Sequence, residues 1–186
     1  DRQIVGDIYT SSELSKNLAV LCDELGSRFA GSTEEKQAAE FMAAKLAAYG
    51  LQNSSLEAVH YHGWQRGEAE LRLLDPIDKL IPCISLPHSP AVDIEAEIID
   101  IGDGSPEEFE KRAKEIAGKI VLTNSVVFPQ GSKRWIHRSE KYGRALLAGA
   151  VGFIFVNHYP GFGPATGSIG PDRPESGIAL IPGISV

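Results

Sequence analysis

The sequence predicts an α+β fold in which two N-terminal helices precede a β-rich body with flanking helices and a strand–helix–strand unit. Three observations predict it. Apolar residues recur at three- and four-residue steps through the first fifty positions. Short strand-like runs, the second of them alternating, begin at Leu56 with Gly and Pro between and after them. Residues 119–156 then read as strand, helix, strand, with a connection long enough for a parallel crossover.

The first helix is expected over residues 10–26, with Leu14, Leu18, Leu21, Cys22 and Leu25 on one face. Thr10 and Glu13 have capping-box spacing and Gly26 suits the stop. The second begins at Ser32, again with an acid three residues on, and carries Ala38, Phe41, Met42, Leu46 and Tyr49 to a Gly50-Leu51 terminus. Periodicity of this kind is the signature of core packing. Leu56–Tyr61 and Glu68–Leu74 read as strands separated by the turn residues Gly63 and Gly67. Pro76, Pro82, Pro87 and Pro90 break residues 75–93 into loop or edge pieces. Ile94–Ile101 alternates as a half-buried strand. Ser105-Pro106-Glu107-Glu108 is a helix start with cap, first-position proline and first-turn acids, and that helix closes at Gly118. Lys119–Thr123 is a β-branched strand, residues 138–148 a helix closed by Gly149, and Gly152–Val156 a buried strand. Residues 158–177 read as loop and Ile178–Ile181 as a last short strand.

Composition narrows the functional classes. With 186 residues, 42% hydrophobic and 23% charged, the chain suits one packed domain with or without an appendage. No apolar run approaches the ~20 residues needed to cross a bilayer as a helix. A net charge of −7 argues against a nucleic-acid backbone or an anionic membrane as main partner. Cys22 and Cys83 cannot make a disulfide framework or a four-cysteine zinc site, and they leave the compartment open.

Self-sufficient chemistry is hard to find. His60 and His62 would share one face of a strand and could reach one metal, but nothing nominates a third ligand, so a solvated or hydrogen-bonded strand face is the expectation. His88, His137 and His158 stand alone in loops. The run Tyr159-Pro-Gly-Phe-Gly-Pro-Ala-Thr166-Gly lacks both the dinucleotide spacing and a Gly-Lys-Ser/Thr. There is no Gly-x-Ser-x-Gly elbow and no His-Glu-x-x-His. Lys133, Arg134, His137 and Arg138 form a small basic cluster, read as a solvated approach to a helix. Asn53-Ser54-Ser55 fits a glycosylation sequon that matters only in a eukaryotic secretory setting.

Two stretches carry a resemblance. Leu21–Ser32, containing Gly26-x-Arg28-x-x-Gly31-Ser32, and the Ala-rich helix ending Tyr49-Gly50-Leu51 resemble the N-terminal segment of co-catalytic zinc aminopeptidases, the family of leucyl-type aminopeptidases, glutamate carboxypeptidase and the transferrin receptor ectodomain. Residues 118–186 resemble the protease-associated (PA) domain inserted in many members, through Gly118-Lys-Ile-Val-Leu122, Arg144–Asn157 and Ile181-Pro-Gly-Ile-Ser-Val186. The resemblance implies a PA-type β-sandwich or barrel over 66–186, with 1–65 as the helical lead-in and first strand of an incomplete peptidase domain. It implies a parent enzyme that removes N-terminal residues from peptides with two zinc ions. The family holds those ions through a His-x-Asp motif, a bridging Asp, a Glu-Glu pair, and a further acid and His. No His-x-Asp occurs here, and Glu34-Glu35 and Glu107-Glu108 are helix-start acids. No catalytic and no metal-binding residue carries over, and zinc is expected only in the parent's missing domain.

The expectation is therefore a non-catalytic, PA-bearing fragment that shapes substrate access or mediates protein contacts and is inactive alone. The rival is a free-standing peptide-binding PA module with no peptidase half. The glycine-rich loop, with Tyr159, Phe162 and Thr166, is the candidate substrate-facing surface. The partners expected are the parent's peptide substrate and the missing peptidase domain. The apolar stripes Leu14/Leu18/Leu21 and Phe41/Leu46 are expected to pack as a hairpin on the PA body or to bury against another chain, giving self-association.

Overall fold

The computed structural model describes residues 1–10, 12–161, 163–169 and 178–186. The chain divides into two compact units, Asp1–Trp64 and Gln65–Val186.

The first unit holds three helices: α1 (Arg2–Thr10), α2 (Leu14–Ala19, prolonged by a π turn over Val20–Glu24) and α3 (Thr33–Ala48). Helix α1 was not expected, and it changes the reading of the Thr10–Glu13 box. Thr10 Oγ1 donates back to the Gly6 carbonyl (2.7 Å), so it ends α1 instead of capping the next helix. Glu13 occupies the cap position of α2 without a side-chain cap, and Ser12 Oγ accepts from Leu14 N instead. The Ser32 cap is as expected: its hydroxyl accepts from Glu35 N. At the other end Gly50 N donates to Ala47 O and Leu51 N to Leu46 O, the paired bonds of a Schellman stop. Helices α2 and α3 are linked by Lys45 Nζ to Glu13 Oε2 (2.6 Å) and by Asn17 Nδ2 to Tyr49 Oη (3.0 Å). That seam is polar. Leu14 and Leu18 stay exposed, and Ala38 is the buried hydrophobic residue of this unit among those described.

Residues 56–61, expected as a strand, are not one, and residues 52–70 pair with no ladder. A strand-like composition gives a strand only where a partner strand exists. Tyr61 turns instead to α3, its hydroxyl donating to Glu35 Oε2 (2.6 Å), and the same carboxylate accepts from Gly31 N (2.6 Å).

The second unit contains a two-stranded antiparallel hairpin, β1 (Leu71–Leu73) with β2 (Lys79–Ile81), and a five-stranded mixed sheet. The large sheet is ordered β3-β7-β6-β5-β4, from β3 (Ile84–Ser85), β4 (Ile98–Asp100), β5 (Ile120–Asn124), β6 (Gly152–Val156) and β7 (Gly183–Ser185). β4, β5, β6 and β7 run parallel, and β3 is antiparallel to β7. α4 (Pro106–Arg112) and α5 (Arg138–Leu147) make the crossovers. Ser105 caps α4 through Glu108 N, as its sequence requires.

Three expected strands are shorter or displaced, the first being Glu68–Leu74, of which only Leu71–Leu73 is strand. Only Ile98–Asp100 of the 94–101 run joins the sheet. Ile178–Ile181 is not strand: Ala179 N donates to His88 O and Ile181 N to the Tyr142 hydroxyl, and pairing with β6 begins where Phe153 N donates to Pro182 O. The Tyr142 hydroxyl takes Ile181 N and a loop carbonyl takes Ala179 N, and β7 starts after Pro182.

Alternation assigns the faces of the sheet. Ile99, Val121, Phe153 and Phe155 pack with Phe109 of α4 and with Tyr142 and Ala145 of α5 in one core. On the opposite face Ile120, Ile154 and Ile184 floor a cleft of about 270 Å³ walled by residues 68–71 and 89–94. The outer edge of β4 is blunted by Arg112, whose Nη1 donates to Asp100 O (3.0 Å), which removes one open edge carbonyl.

Candidate functional site

In open parallel sheets, ligand-contacting loops gather at the carboxyl ends of the strands. Here those ends release two loops: residues 125–137 after β5, and residues 157–169 after β6.

The two loops are stapled where they leave the sheet. Ser125 Oγ lies 2.5 Å from His158 Nδ1 and accepts from His158 N (3.0 Å). Asn157 Oδ1 accepts from Tyr159 N (3.1 Å), and the rings of His158 and Tyr159 sit 4.0 Å apart between centroids. Beneath them, fully buried Lys141 of α5 donates from Nζ to Asn124 O (2.9 Å) and Val126 O (2.6 Å). Burial pushes its pKa down to about 8, against the opposing pull of Asp103. Gly104 is required here: its φ is +67°, and a Cβ would lie 2.8 Å from Lys141 Cδ, in the path of the lysine stem.

The loop after β6 is fixed at several points. Asn157 Nδ2 donates to Gly163 O (2.7 Å), Arg66 Nη2 to Thr166 Oγ1 (2.9 Å), and Arg138 Nε and Nη2 to Ser168 O (both 3.3 Å). Ile169 is buried in the main core. Arg138 also lies over the Phe155 ring, 5.3 Å from its centroid. Between these anchors the loop holds Tyr159 outward, 66% exposed, and Thr166 at the surface. Phe162, the third residue singled out from sequence, lies outside the described residues.

The rest of the histidine chemistry does not assemble. His60 and His62 are exposed and off any strand, so they do not share a strand face. Among the described residues no group of three or more His, Cys, Asp or Glu could hold a metal ion. The donor set of a zinc site is thus not met by these residues. Cys22 is exposed and Cys83 half-buried, and neither is disulfide-bonded.

Sequence reasoning missed the Ser125–His158 staple, the Lys141 clamp and a second aromatic feature on the loop after β5, where Phe128 and Trp135 pack edge-to-face at 6.3 Å. The available signal was two large aromatics in a segment with no apolar periodicity.

Comparison with known proteins agrees with this architecture. Residues 89–186 match the PA domain model. Human carboxypeptidase Q is 31% identical over 172 residues, 90% of this chain and 35% of that protein. Carboxypeptidase Q of Xenopus laevis is 36% identical over 112 residues, 59% of this chain and 24% of that protein. The chain thus spans between about a quarter and about a third of the length of these curated relatives. A peptidase M28 precursor from Shewanella amazonensis superposes with a TM-score of 0.70 at 25% identity, covering 98% of this chain and 43% of that one. BSAP, a zinc aminopeptidase from Bacillus subtilis, shares the fold with a TM-score of 0.58 at 19% identity, over 92% of this chain and 37% of that one. The chain is homologous to carboxypeptidase Q and M28 peptidases, and it belongs to the PA domain family.

Proposed function

We propose that this chain is the non-catalytic, PA-bearing part of a zinc-dependent aminopeptidase-like protein, and that it shapes the access of peptide substrates to a peptidase domain. The observation that carries the reading is the loop after β6. Its backbone is fixed by Asn157 and Arg138, and Arg66 donates to the Thr166 hydroxyl, while Tyr159 and Thr166 lie at the surface. A loop fixed at its base with an exposed aromatic and hydroxyl suits contact with an extended peptide.

The domain division rests on the same reading, with 1–65 belonging to the peptidase domain and 66–186 forming the PA domain. On this reading the two zinc ions belong to the peptidase part. The exposed apolar residues of α1 and α2 (Ile4, Ile8, Leu14, Leu18) suit burial against that part or against a second copy.

The test uses a protein carrying both parts. Tyr159→Ala and Thr166→Ala raise KM for peptides with kcat little changed, because the loop contributes to binding and not to chemistry. An unchanged kcat/KM for both variants, or loss confined to kcat, overturns the reading.

A further inference from the structure

The loop after β5 exposes aromatic surface in a way that core packing does not explain. Trp135 is 71% exposed and Phe128 53%, yet their flanking neighbours Ile136 and Pro129 are buried. Ile136 N donates to Val127 O (2.8 Å) and brings the two halves of the loop together. Ser132 N donates to Pro129 O (3.0 Å), and Ser132 Oγ donates to Arg134 O (2.7 Å). Arg134 forms a two-pronged pair with Glu140 (2.7 Å on each arm), and its Nη1 also donates to Trp135 O (3.1 Å). The rings are therefore presented by a backbone already fixed, so little ordering entropy is spent on capture.

The segment that carries the rings is basic in sequence, with Glu140 of α5 and Glu107 of α4 both acting on Arg134. Over residues 125–139 the chain carries Lys133, Arg134 and Arg138 and no Asp or Glu, within a protein of net charge −7. Arg134 is occupied by Glu140, whereas Lys133 is exposed and makes no ion pair among the described residues.

From these features we propose that Phe128, Trp135 and Lys133 form a docking surface for an extended acidic peptide segment anchored by one large apolar side chain. Aromatic side chains of this kind supply anchoring area, and the free ammonium selects the sign of the flanking charge. The inference goes beyond the substrate-access role, which concerns the neighbouring loop.

The test is fluorescence anisotropy of labelled peptides against the 186-residue chain. Glu-Glu-Phe-Glu-Glu is compared with Lys-Lys-Phe-Lys-Lys and Glu-Glu-Ala-Glu-Glu. The acidic phenylalanine peptide binds best, in a salt-sensitive manner, and Trp135→Ala weakens it about tenfold or more, the scale of an aromatic hot spot. Lys133→Glu inverts the charge preference, while Trp135→Phe, which keeps the ring, retains binding. Equal binding of the three peptides, or no effect of Trp135→Ala, overturns the proposal. So does shielding of Trp135 from a soluble quencher that grows with protein concentration, because the surface is then an interface between copies.

Discussion

Lys141 donates its buried ammonium to the carbonyl of Val126 over 2.6 Å, the tightest contact between α5 and the loop that leaves β5. With the second bond to Asn124 it holds the strand end from which Ser125 reaches across to His158. The clamp carries a cost. Burial lowers the lysine pKa to about 8 from an ordinary 10.5, so the folded protein binds fewer protons than the unfolded chain between those values. Unfolding free energy therefore gains a rising contribution with pH through that window. Denaturant titrations of wild type and Lys141→Met across it isolate the contribution, since Tyr142 and Cys83, whose pKa values burial raises, are common to both proteins. A steeper slope for wild type is expected, and parallel slopes contradict the clamp.

Glu140 gives a slope of the same sign at lower pH, but there the fold favours the charged form instead of penalising it. The hydrogen bonds from Arg134, reinforced by Arg144, hold its carboxyl at about 2, well below the ordinary 4.5. Its stabilisation is complete above pH about 4.5 and is lost as pH falls toward 2. The pair is partly solvated, so Glu140→Gln is expected to cost about 1 kcal/mol at neutral pH. The gap from wild type should close in acid, and a gap constant from neutral pH to pH 2 would refute the pairing.

Tyr142 both donates to Ile181 O and accepts from Ile181 N, each at 2.9 Å and buried. Tyr142→Phe leaves two backbone groups without a partner and should destabilise by about 1–3 kcal/mol. Thermal or urea unfolding reads the loss. A neutral outcome would mean that residues 178–181 find other partners.

Gly167 lies against the Arg138 guanidinium with φ of +143°, and a Cβ there would collide with Nη2. Gly167→Ala is expected to displace Arg138 from Ser168 O and to raise hydrogen exchange and protease cleavage across residues 157–169. The fold should stay intact, because Arg138 has a mobile side chain. Unchanged protection would show that Arg138 does not hold the loop.

What was legible in the sequence was local. Ser32 and Ser105 announce their helices because a cap acts within three residues. The β5–α5–β6 unit was legible because each piece is long and strongly patterned. Helix α1 was missed because Ile4, Val5 and Ile8 make a stripe of little more than one turn, too short for a helical period to register. The run at 56–61 was misread because a short strand-like composition carries no information about a partner strand. The site depends on residues far apart in the chain: Ser125 with His158, Lys141 with Asn124, Arg66 with Thr166. No spacing rule links such pairs, and only the folded register of β5 and β6 brings their loops side by side.

The proposed function requires that residues 1–186 carry an accessory PA structure and no metal-dependent active site of their own. Elemental analysis of the purified chain, run in parallel with an aminopeptidase assay, decides this. The expected result is substoichiometric zinc and no turnover. Zinc bound in stoichiometric amount, with peptide cleavage that scales with the chain and stops on adding a chelator, would contradict it.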